Sequence, residues 1–486
     1  MSEPVRATAE AVAFIRRTTF RDFPAEAVAL GKRCIVDGLG VTLAGSTTEG
    51  SGILREYVRA GGGPGESTAF GVSPFRTSAA SAALLNGASG HAMDWDDTQL
   101  STTPDRIFGL LTHPTLPPMT AAIAVGERLA VSGERLLEAF LIGFELECKI
   151  AEAISPSHYK KGFHSSGTIG TFGAMAAAAK LLDLDEDHIA HALAIAASLS
   201  AGIRVNFGTM TKPLHVGRAA ENGITAVELA SRGFTGGRDG LDPPWGFFQV
   251  FSHGEGADLD RFVGKLGKPY TIVSPGVSIK PYPCGVLGHP TMDAMRTLVM
   301  THDVKPEQIT RMRLRAGSNI LNPLRYKTAT NELEAKFCPP FMLSAIALRR
   351  KAGIHEFTDA FVRSAPVQQM MAKVEMILDP EIEARGFEKI RSTVEVDLQD
   401  GRTLVQQADE RYRGGPDRPF TREELHEKFT ELAELVLPPA AMTETLAIVE
   451  SLETLDDVTA LVRTLATARP LPASAPRATA GKPVTA

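Results

Sequence analysis

Three carboxylates, two imidazoles and a hydroxyl lie within one short stretch of the sequence. Residues 90–98 read Gly-His-Ala-Met-Asp-Trp-Asp-Asp-Thr, and His113-Pro114 follows fifteen residues after Thr98. Carboxylates this close repel one another unless cations, donors or a proton offset them, and such surroundings move pKa values toward those useful for proton transfer. The segment therefore makes a proton-transfer enzyme the first hypothesis.

The same segment allows two other interpretations. Asp96, Asp97 and Thr98 can cap the start of a helix, because Asp and Thr side chains accept hydrogen bonds from free backbone amides. The run can also hold a divalent metal together with His91 and His113, since carboxylate and imidazole suit several such ions. Taken alone, the segment ranks capping first, acid–base chemistry second and metal binding third.

The elements that must position this segment are mainly helical. Residues 9–256 are rich in alanine, with apolar residues at helical spacing and Gly or Pro at the breaks. Within them, residues 167–182 carry small side chains on several faces, which predicts a central helix that its neighbours approach closely. This half of the chain is therefore predicted to be a helical assembly.

A smaller unit with strands is predicted after residue 270. Two segments alternate between apolar and polar residues, a third is a β-prone run, and Asp400-Gly401 is typical of a hairpin turn. Helical patterns lie between the strands, which favours an α+β arrangement. The strands are predicted at residues 309–315, 374–378 and 392–398, and the helices at 290–300 and 339–352.

We therefore predict a mainly α protein, in which a large all-helical domain carries a smaller inserted α+β lid domain. Helical periodicity returns over residues 421–466, so the helical domain is assigned to residues 1–269 plus 411–468 and the lid domain to residues 270–410. Residues 469–486 are rich in Pro, Ala and Thr and have little to bury, which predicts a disordered tail.

Composition excludes several classes of protein. The 51 basic and 57 acidic residues give a net charge of −6 without basic blocks or interleaved aromatics, so we expect no nucleic-acid partner. Charges interrupt the first residues, and no uncharged apolar run reaches the ~18 residues of a membrane span. Four widely spaced cysteines predict no disulfide framework or thiolate metal site. No glycine-rich nucleotide motif is present, and we expect a cytoplasmic protein.

Three further segments place cations in apolar or glycine-rich surroundings. His164 lies at a predicted helix start, a natural anion site, although a single loop histidine is more often partly exposed. Lys212 precedes His215 by three residues, and the small residues around them favour a buried cation over a solvated patch. Lys280 and its two nearby prolines lead to His289 at the predicted domain junction, where the alternatives are a ligand cleft and a stiff linker with a solvated lysine.

Six motifs in this order resemble the MmgE/PrpD family, which includes 2-methylcitrate dehydratase, cis-aconitate decarboxylase and iminodisuccinate epimerase. The similarity spans roughly residues 9–466. It implies a large helical domain with an α+β lid, a homodimer, and an enzyme that works without metal or organic cofactor. The motifs are HAMDWDDT, GFHSSGTIGTFGA, GTMTKPLHVGRAA, RGFTGGRDGLDPPWGFF, SIKPYPC and ELEAKF.

The resemblance also implies a pocket between domain and lid and a role for each matching residue. Asp94 and Thr98 match the acidic and hydroxyl positions of the family, and His113 matches a histidine that moves a proton at the substrate carbon. A second group of residues matches the positions that hold the carboxylates of the substrate. These are His164, Lys212 and Lys280.

Two departures from the family pattern bear on the reaction. In the decarboxylases a histidine lies five residues after the lysine that matches Lys280, whereas this chain has Gly285 there and its nearby imidazole is His289. The loop of residues 98–113 is also longer than the matching loop of the decarboxylases and dehydratases in the family. It carries Arg106, which can add a bidentate contact to a carboxylate or remain an exposed loop charge. The first departure argues against decarboxylation.

The predicted function is a cofactor-independent lyase of the dehydratase type, acting on a small di- or tricarboxylate by proton transfer at a carbon next to a carboxylate. His113 and Asp94 form the predicted proton-transfer pair and Thr98 orients one of them. The predicted substrate-binding residues are His164, Lys212, Lys280, His289 and Arg106, without a metal. The alternatives are an epimerase of an imino- or amino-dicarboxylate, a cis-aconitate-type decarboxylase and a polycarboxylate-binding protein without catalytic activity.

Overall fold

The computed structural model of the chain describes residues 6–100, 110–155, 157–386 and 389–467. Helices dominate these residues, which confirms the mainly α prediction. The predicted tail at residues 469–486 lies outside the described residues. None of the described helices is both long and apolar enough to cross a membrane.

The first part of the chain contains most of the long helices. They are α1 Ala7–Arg17, α2 Ala25–Gly45, α3 Glu49–Gly61, α4 Ala79–Ala92, α5 Leu116–Leu129, α6 Gly133–Ile154, α7 Ser157–Lys160, α8 Ser165–Thr168, α9 Gly170–Leu181, α10 Glu186–Leu199, α11 Thr211–Ala230 and α12 Phe247–Phe251. Two short antiparallel pairs accompany them, β1 Ser67–Ala69 with β2 Phe75–Thr77 and β3 Gln99–Leu100 with β4 Leu110–Thr112. The predicted small-residue helix is divided by Ile169 into α8 and α9, both of which are buried.

The second part of the chain alternates helices and strands before it returns to helices. The helices are α13 His289–Thr301, α14 Ser318–Leu321, α15 Glu332–Ala335, α16 Pro339–Arg349, α17 Asp359–Val362, α18 Ala365–Met371, α19 Pro380–Ala384, α20 Arg422–Ala433, α21 Pro439–Glu450 and α22 Thr459–Leu465. The strands are β5 Ile309–Ala316, β6 Val374–Leu378, β7 Ser392–Leu398 and β8 Thr403–Gln407.

These four strands form one sheet in the order β6-β5-β7-β8. β5 and β6 are parallel, whereas β7 is antiparallel to both β5 and β8, and the predicted Asp400-Gly401 turn joins β7 to β8. Gly401 has a φ of 86°, a conformation that glycine adopts without a steric penalty. Alternate residues of β7 are buried, as the period of two predicts.

Two hydrophobic clusters organise the chain. The larger cluster joins the helices before residue 280 to the helices after residue 419, while the smaller one gathers Phe207 and residues between Tyr282 and Tyr412 around the sheet. The last helices thus pack with the first part of the chain, and α20 packs against α2. The division into a helical domain and an inserted lid domain stays a prediction.

Close helix packing brings the predicted site residues together. A Cβ atom on Gly217 of α11 would overlap the carbonyl oxygen of Leu84 in α4, so the two backbones approach closely only because this residue is glycine. The approach places the end of α4, with His91 and Asp94, beside the beginning of α11, with Lys212.

Candidate active site

A buried pocket lies against the smaller hydrophobic cluster, which contributes Phe207, Val286, Leu287, Leu324 and Phe337 to its lining. Its lining combines polar and apolar side chains, so the pocket suits a small molecule with a charged end. The polar lining residues are Asp94, Thr112, His113, Tyr159, His164, Ser165, Ser166, Lys212 and Lys280, and the other lining residues are Phe207, Gly285, Val286, Leu287, Pro323, Leu324 and Phe337.

Asp94 reaches the pocket because the chain turns sharply after α4. The helix ends at Ala92, Met93 caps it, and Asp94 takes the left-handed conformation with a φ of 51°. Its amide donates a hydrogen bond to the carbonyl oxygen of His91 at 3.1 Å. A non-glycine residue in this conformation carries strain, which the surrounding contacts must offset.

Two buried lysines hold the Asp94 carboxylate. The Lys212 ammonium donates to Oδ1 at 2.5 Å, while the Lys280 ammonium donates to the Asp94 carbonyl oxygen at 2.9 Å and lies 3.4 Å from Oδ2. Burial by itself would raise the pKa of Asp94, but Lys212 and Lys280 outweigh it, so the pKa lies below its ordinary value. Asp94 is therefore ionised at neutral pH.

His91 links Lys212 to a second carboxylate. Its Nδ1 lies 2.8 Å from Oδ2 of Asp96 and its Nε2 lies 2.7 Å from the Lys212 ammonium. Because a lysine ammonium only donates, Nε2 accepts and the hydrogen on Nδ1 is donated to Asp96. Burial lowers the pKa of His91 to about 3, so the imidazole is neutral. Held by Asp96 through Nδ1, it orients the Lys212 ammonium through Nε2.

His113 has the geometry of a proton acceptor. Its Nδ1 lies 2.8 Å from the carbonyl oxygen of Asp97, which can only accept, so Nδ1 carries the hydrogen and Nε2 keeps a free lone pair. Its main-chain amide donates to the Ser166 hydroxyl at 3.0 Å. Burial lowers the pKa of His113, which keeps the imidazole neutral at pH 7. A neutral, oriented imidazole is what a general base requires.

His164 presents a free nitrogen at the same pocket. Its Nδ1 lies 3.0 Å from Nδ1 of His215, and its buried Nε2 has no hydrogen-bond partner among the described residues. Of the two facing Nδ1 atoms one donates and the other accepts. When His215 donates, Nε2 of His164 carries a hydrogen that can bind an anionic oxygen.

The predicted site residues do not all reach the pocket. Asp94, His113, His164, Lys212 and Lys280 line it, as described above. Thr98 does not, and its buried hydroxyl has no partner among the described residues, while its backbone pairs with Ser278. His289 is buried beside the pocket, where Nε2 donates to the carbonyl oxygen of Cys284 at 3.1 Å. Arg106 lies outside the described residues.

Sequence reasoning missed the role of His91 and Asp96. The capping interpretation does not describe Asp96, because its carboxylate binds His91 and lies 3.3 Å from Nδ1 of His113. Asp97 does belong to a helix start, since it accepts hydrogen bonds from Thr115, the residue before α5. Nothing in the local pattern distinguishes the two neighbouring aspartates, because their side chains diverge at a turn.

Metal binding is the third interpretation of the segment that contains His91 and His113. The positions of the possible ligand atoms show whether the residues present suit a metal ion. One ligand atom each from His91, His113 and His164 lies within 4.8 Å of the others. However, both nitrogens of His91 are engaged, by Asp96 and by the Lys212 ammonium. The ammonium groups of Lys212 and Lys280 repel a cation and attract an anion. The residues present therefore fit a carboxylate better than a metal.

Buried helices around a pocket that holds a neutral imidazole, an ionised carboxylate and two ammonium groups define a site for acid–base chemistry on an anion. Residues 10–260 match the MmgE/PrpD N-terminal domain and residues 282–454 match the MmgE/PrpD C-terminal domain. The chain belongs to the MmgE/PrpD family.

Curated relatives extend over nearly the whole chain. It is 30% identical to the cis-aconitate decarboxylase of Mus musculus over 446 residues, which cover 89% of this chain and 88% of the relative. It is 30% identical to the cis-aconitate decarboxylase of Homo sapiens, with 89% of each chain covered. A cis-aconitate decarboxylase of Aspergillus terreus is 25% identical over 94% of this chain and 95% of the relative. These relatives support an enzyme of the lyase type.

Proposed function

We propose that this protein is a cofactor-independent lyase of the dehydratase type, which acts on a small di- or tricarboxylate. The observation that carries the proposal is that His113, whose Nε2 keeps a free lone pair, lines the same buried pocket as Lys212, Asp94 and Lys280. The family membership and the lyase-type relatives support the class of reaction.

The geometry suggests a role for each group. A substrate carboxylate binds to the remaining hydrogens of the Lys212 and Lys280 ammonium groups and to Nε2 of His164. These donors stabilise the negative charge that develops on the carboxylate when the adjacent carbon loses its proton. Nε2 of His113 accepts that proton, and the resulting imidazolium is stabilised by the nearby Asp96 carboxylate.

The elimination is completed when the imidazolium returns the proton to the leaving hydroxide, which departs as water while the carbon–carbon double bond forms. Asp94, the second member of the proposed proton-transfer pair, has a lowered pKa and is a weak base. Its main contribution in this proposal is to orient the two lysines, because one carboxylate contacts both ammonium groups.

A cis-aconitate-type decarboxylase is the second candidate, favoured by the named activity of the 30% identical relatives. In that reaction Nε2 of His113 would first take up a proton from solvent and then deliver it to the carbon that loses carbon dioxide. Gly285 lines the pocket where the resemblance to decarboxylases leads us to expect a histidine, and His289 faces Cys284 instead. For this reason the dehydratase-type reaction stays first.

The experiment is incubation in heavy water with cis-aconitate and with hydroxylated and amino- or imino-dicarboxylates, followed by NMR and chiral product analysis. Loss of water supports the proposal, and release of carbon dioxide with deuterium in the product supports the decarboxylase. Deuterium entering an otherwise unchanged substrate identifies an epimerase and overturns the lyase assignment. Binding without any turnover identifies a binding protein.

We also propose a homodimer, on the family resemblance alone. Light scattering coupled to gel filtration measures this directly, because the chain mass is 52.0 kDa and a dimer has twice that mass. A single species at the chain mass would contradict the proposal.

A further inference from the structure

We infer that Lys336 and Lys428, which do not line the pocket, are positioning residues that hold the turn after α4 so that Asp94 stands between Lys212 and Lys280. The turn comprises Ala92, Met93, Asp94 and Trp95. The expected effect on activity rests on the proposed function, whereas the effect on the turn does not.

Three buried ammonium groups from distant segments each donate to a different main-chain oxygen of this turn. Lys336, directly after α15, donates to Ala92 at 3.0 Å. Lys280 donates to Asp94 at 2.9 Å, and Lys428 in α20 donates to Trp95 at 2.9 Å. The indole nitrogen of Trp95 in turn donates to the carbonyl oxygen of Lys280 at 2.9 Å. The turn is thus connected to three separate parts of the chain.

The end of a helix is where such donors are needed. The last carbonyl oxygens of α4 lack partners within the helix and carry its partial negative charge, which an ammonium group satisfies. Asp94 adds a left-handed backbone conformation with a φ of 51°, which persists only where the surroundings determine it. Lys336 and Lys428 lie on either side of this residue and restrain the two ends of the turn.

Both lysines are committed to these contacts by burial. Only 2% of Lys336 and 6% of Lys428 is exposed, and a buried ammonium group without partners is costly. Lys428 also pairs with Asp37 at 2.6 Å and lies over the ring of Trp95. Lys336 forms no ion pair with any described residue, so its contact with Ala92 is its specific interaction.

Lys336 also contacts two separate segments that line the pocket. Its carbonyl oxygen accepts a hydrogen bond from the amide of Gly285 at 2.9 Å, and Gly285 is a lining residue. Its ammonium group holds the turn that carries Asp94, another lining residue. A change at Lys336 is therefore transmitted to Asp94 through the main chain rather than through direct contact with a substrate.

The test uses Trp95 as a reporter of the turn. The chain has two tryptophans, and Trp245 is 87% exposed, so Trp245→Phe leaves the buried Trp95 as the sole tryptophan. In this background we compare Lys336→Met with Lys149→Met. Lys149 is the matched control, because it is buried and donates to the carbonyl oxygen of Pro269 at 3.1 Å, away from the pocket.

We expect Lys336→Met to raise the acrylamide quenching constant of Trp95 at least twofold and to shift its emission to longer wavelength, with no change in Lys149→Met. An unchanged quenching constant in folded Lys336→Met overturns the inference, whatever the protein catalyses. If Lys336→Met does not fold, the double variant Lys428→Met/Asp37→Asn tests the other end of the turn without leaving an unpaired carboxylate. Because Lys428 itself lies over the Trp95 ring, this variant is judged by hydrogen exchange at the amides of residues 93–95, where at least twofold faster exchange supports the inference and unchanged exchange overturns it.

The activity test separates positioning from general destabilisation. We expect Lys336→Met to lower kcat/KM at least tenfold, and to lower it less than twofold further when Asp94→Asn is already present. Losses that multiply fully in the double variant would show that Lys336 acts independently of Asp94 and would overturn the inference. A wild-type protein without turnover would refute the proposed function alone, because the Trp95 measurement would still decide the positioning role.

Discussion

The pair of Asp94 and Lys212 predicts how the upper pH limit of activity responds to a single substitution. Burial lowers the pKa of Lys212, and the Asp94 carboxylate opposes that effect. Asp94→Asn keeps the shape of the side chain and removes the charge. The ammonium form of Lys212 then becomes less stable, so its pKa must fall further and activity must be lost at a lower pH.

The size of the shift follows from the contact distance. The ammonium nitrogen lies 2.5 Å from Oδ1, and for charges about 3 Å apart Coulomb's law gives about 1.4 kcal/mol at the dielectric constant of water and about 5.5 kcal/mol at an effective value of ~20. One pKa unit corresponds to about 1.4 kcal/mol. The alkaline limb of kcat/KM is therefore expected to move down by about 1 to 4 pH units.

The assay is the pH profile of kcat/KM from pH 5 to 10 for the wild type and Asp94→Asn, with circular dichroism at each pH to confirm folding. Glu145→Gln is the matched control, since Glu145 is also buried and lies 3.8 Å from the buried Lys149, away from the pocket. An alkaline limb that stays in place or moves to higher pH in Asp94→Asn would refute the assignment of Lys212 as the cation whose protonated form is required.

Three further predictions concern the base, the anion site and the packing of the helices. His113→Ala should lower kcat by about 10²–10⁴-fold, the usual contribution of a general base, whereas His188→Ala, at a partly exposed histidine that does not line the pocket, should leave kcat unchanged. Steady-state kinetics measures both variants, and equal effects would contradict the role of His113. Lys280→Met should raise KM at least about tenfold, because a hydrogen bond to a charged group contributes about 1.5–3 kcal/mol. An unchanged KM would show that Lys280 does not bind the substrate carboxylate. Gly217→Ala should lower the free energy of unfolding by about 1–3 kcal/mol, because the added methyl group overlaps α4. Gly52→Ala in α3 should not, since the added atom meets nothing within 4 Å. Urea unfolding compares the two variants, and equal midpoints would argue against the close approach of α11 to α4.

Local patterns in the sequence predict the mainly helical content of the chain and three strands of the sheet. The alternating segments became β5 and β7, the β-prone run became β6, and Asp400-Gly401 formed the hairpin turn between β7 and β8. Such patterns report neighbours two to four residues apart, and the structure preserves those relations. The short pairs β1–β2 and β3–β4 were not predicted, because strands of two or three residues carry too little periodicity to be recognised.

For residues 90–98 and His113, too, the sequence predicts some features of the site and not others. Their composition and the family motifs were enough to single out Asp94, His113 and Lys212, which meet in the pocket. The capping interpretation groups Asp96 with Asp97 and Thr98, and the sequence offers no means of pairing it with His91 across the end of α4. That pairing depends on how the chain turns after the helix, which residue types alone do not specify.

By itself, the sequence determined that this protein is mainly helical and which residue types would carry its chemistry, because periodicity and motifs are local properties of the chain. Only the tertiary structure decided which charges meet. Lys280, Lys336 and Lys428 approach the turn after α4 from positions more than 180 residues away, and each ammonium group lies on a different carbonyl oxygen of that turn. Contacts between such distant residues depend on the packing of the whole molecule, and they set the backbone, the charge state and the orientation of Asp94.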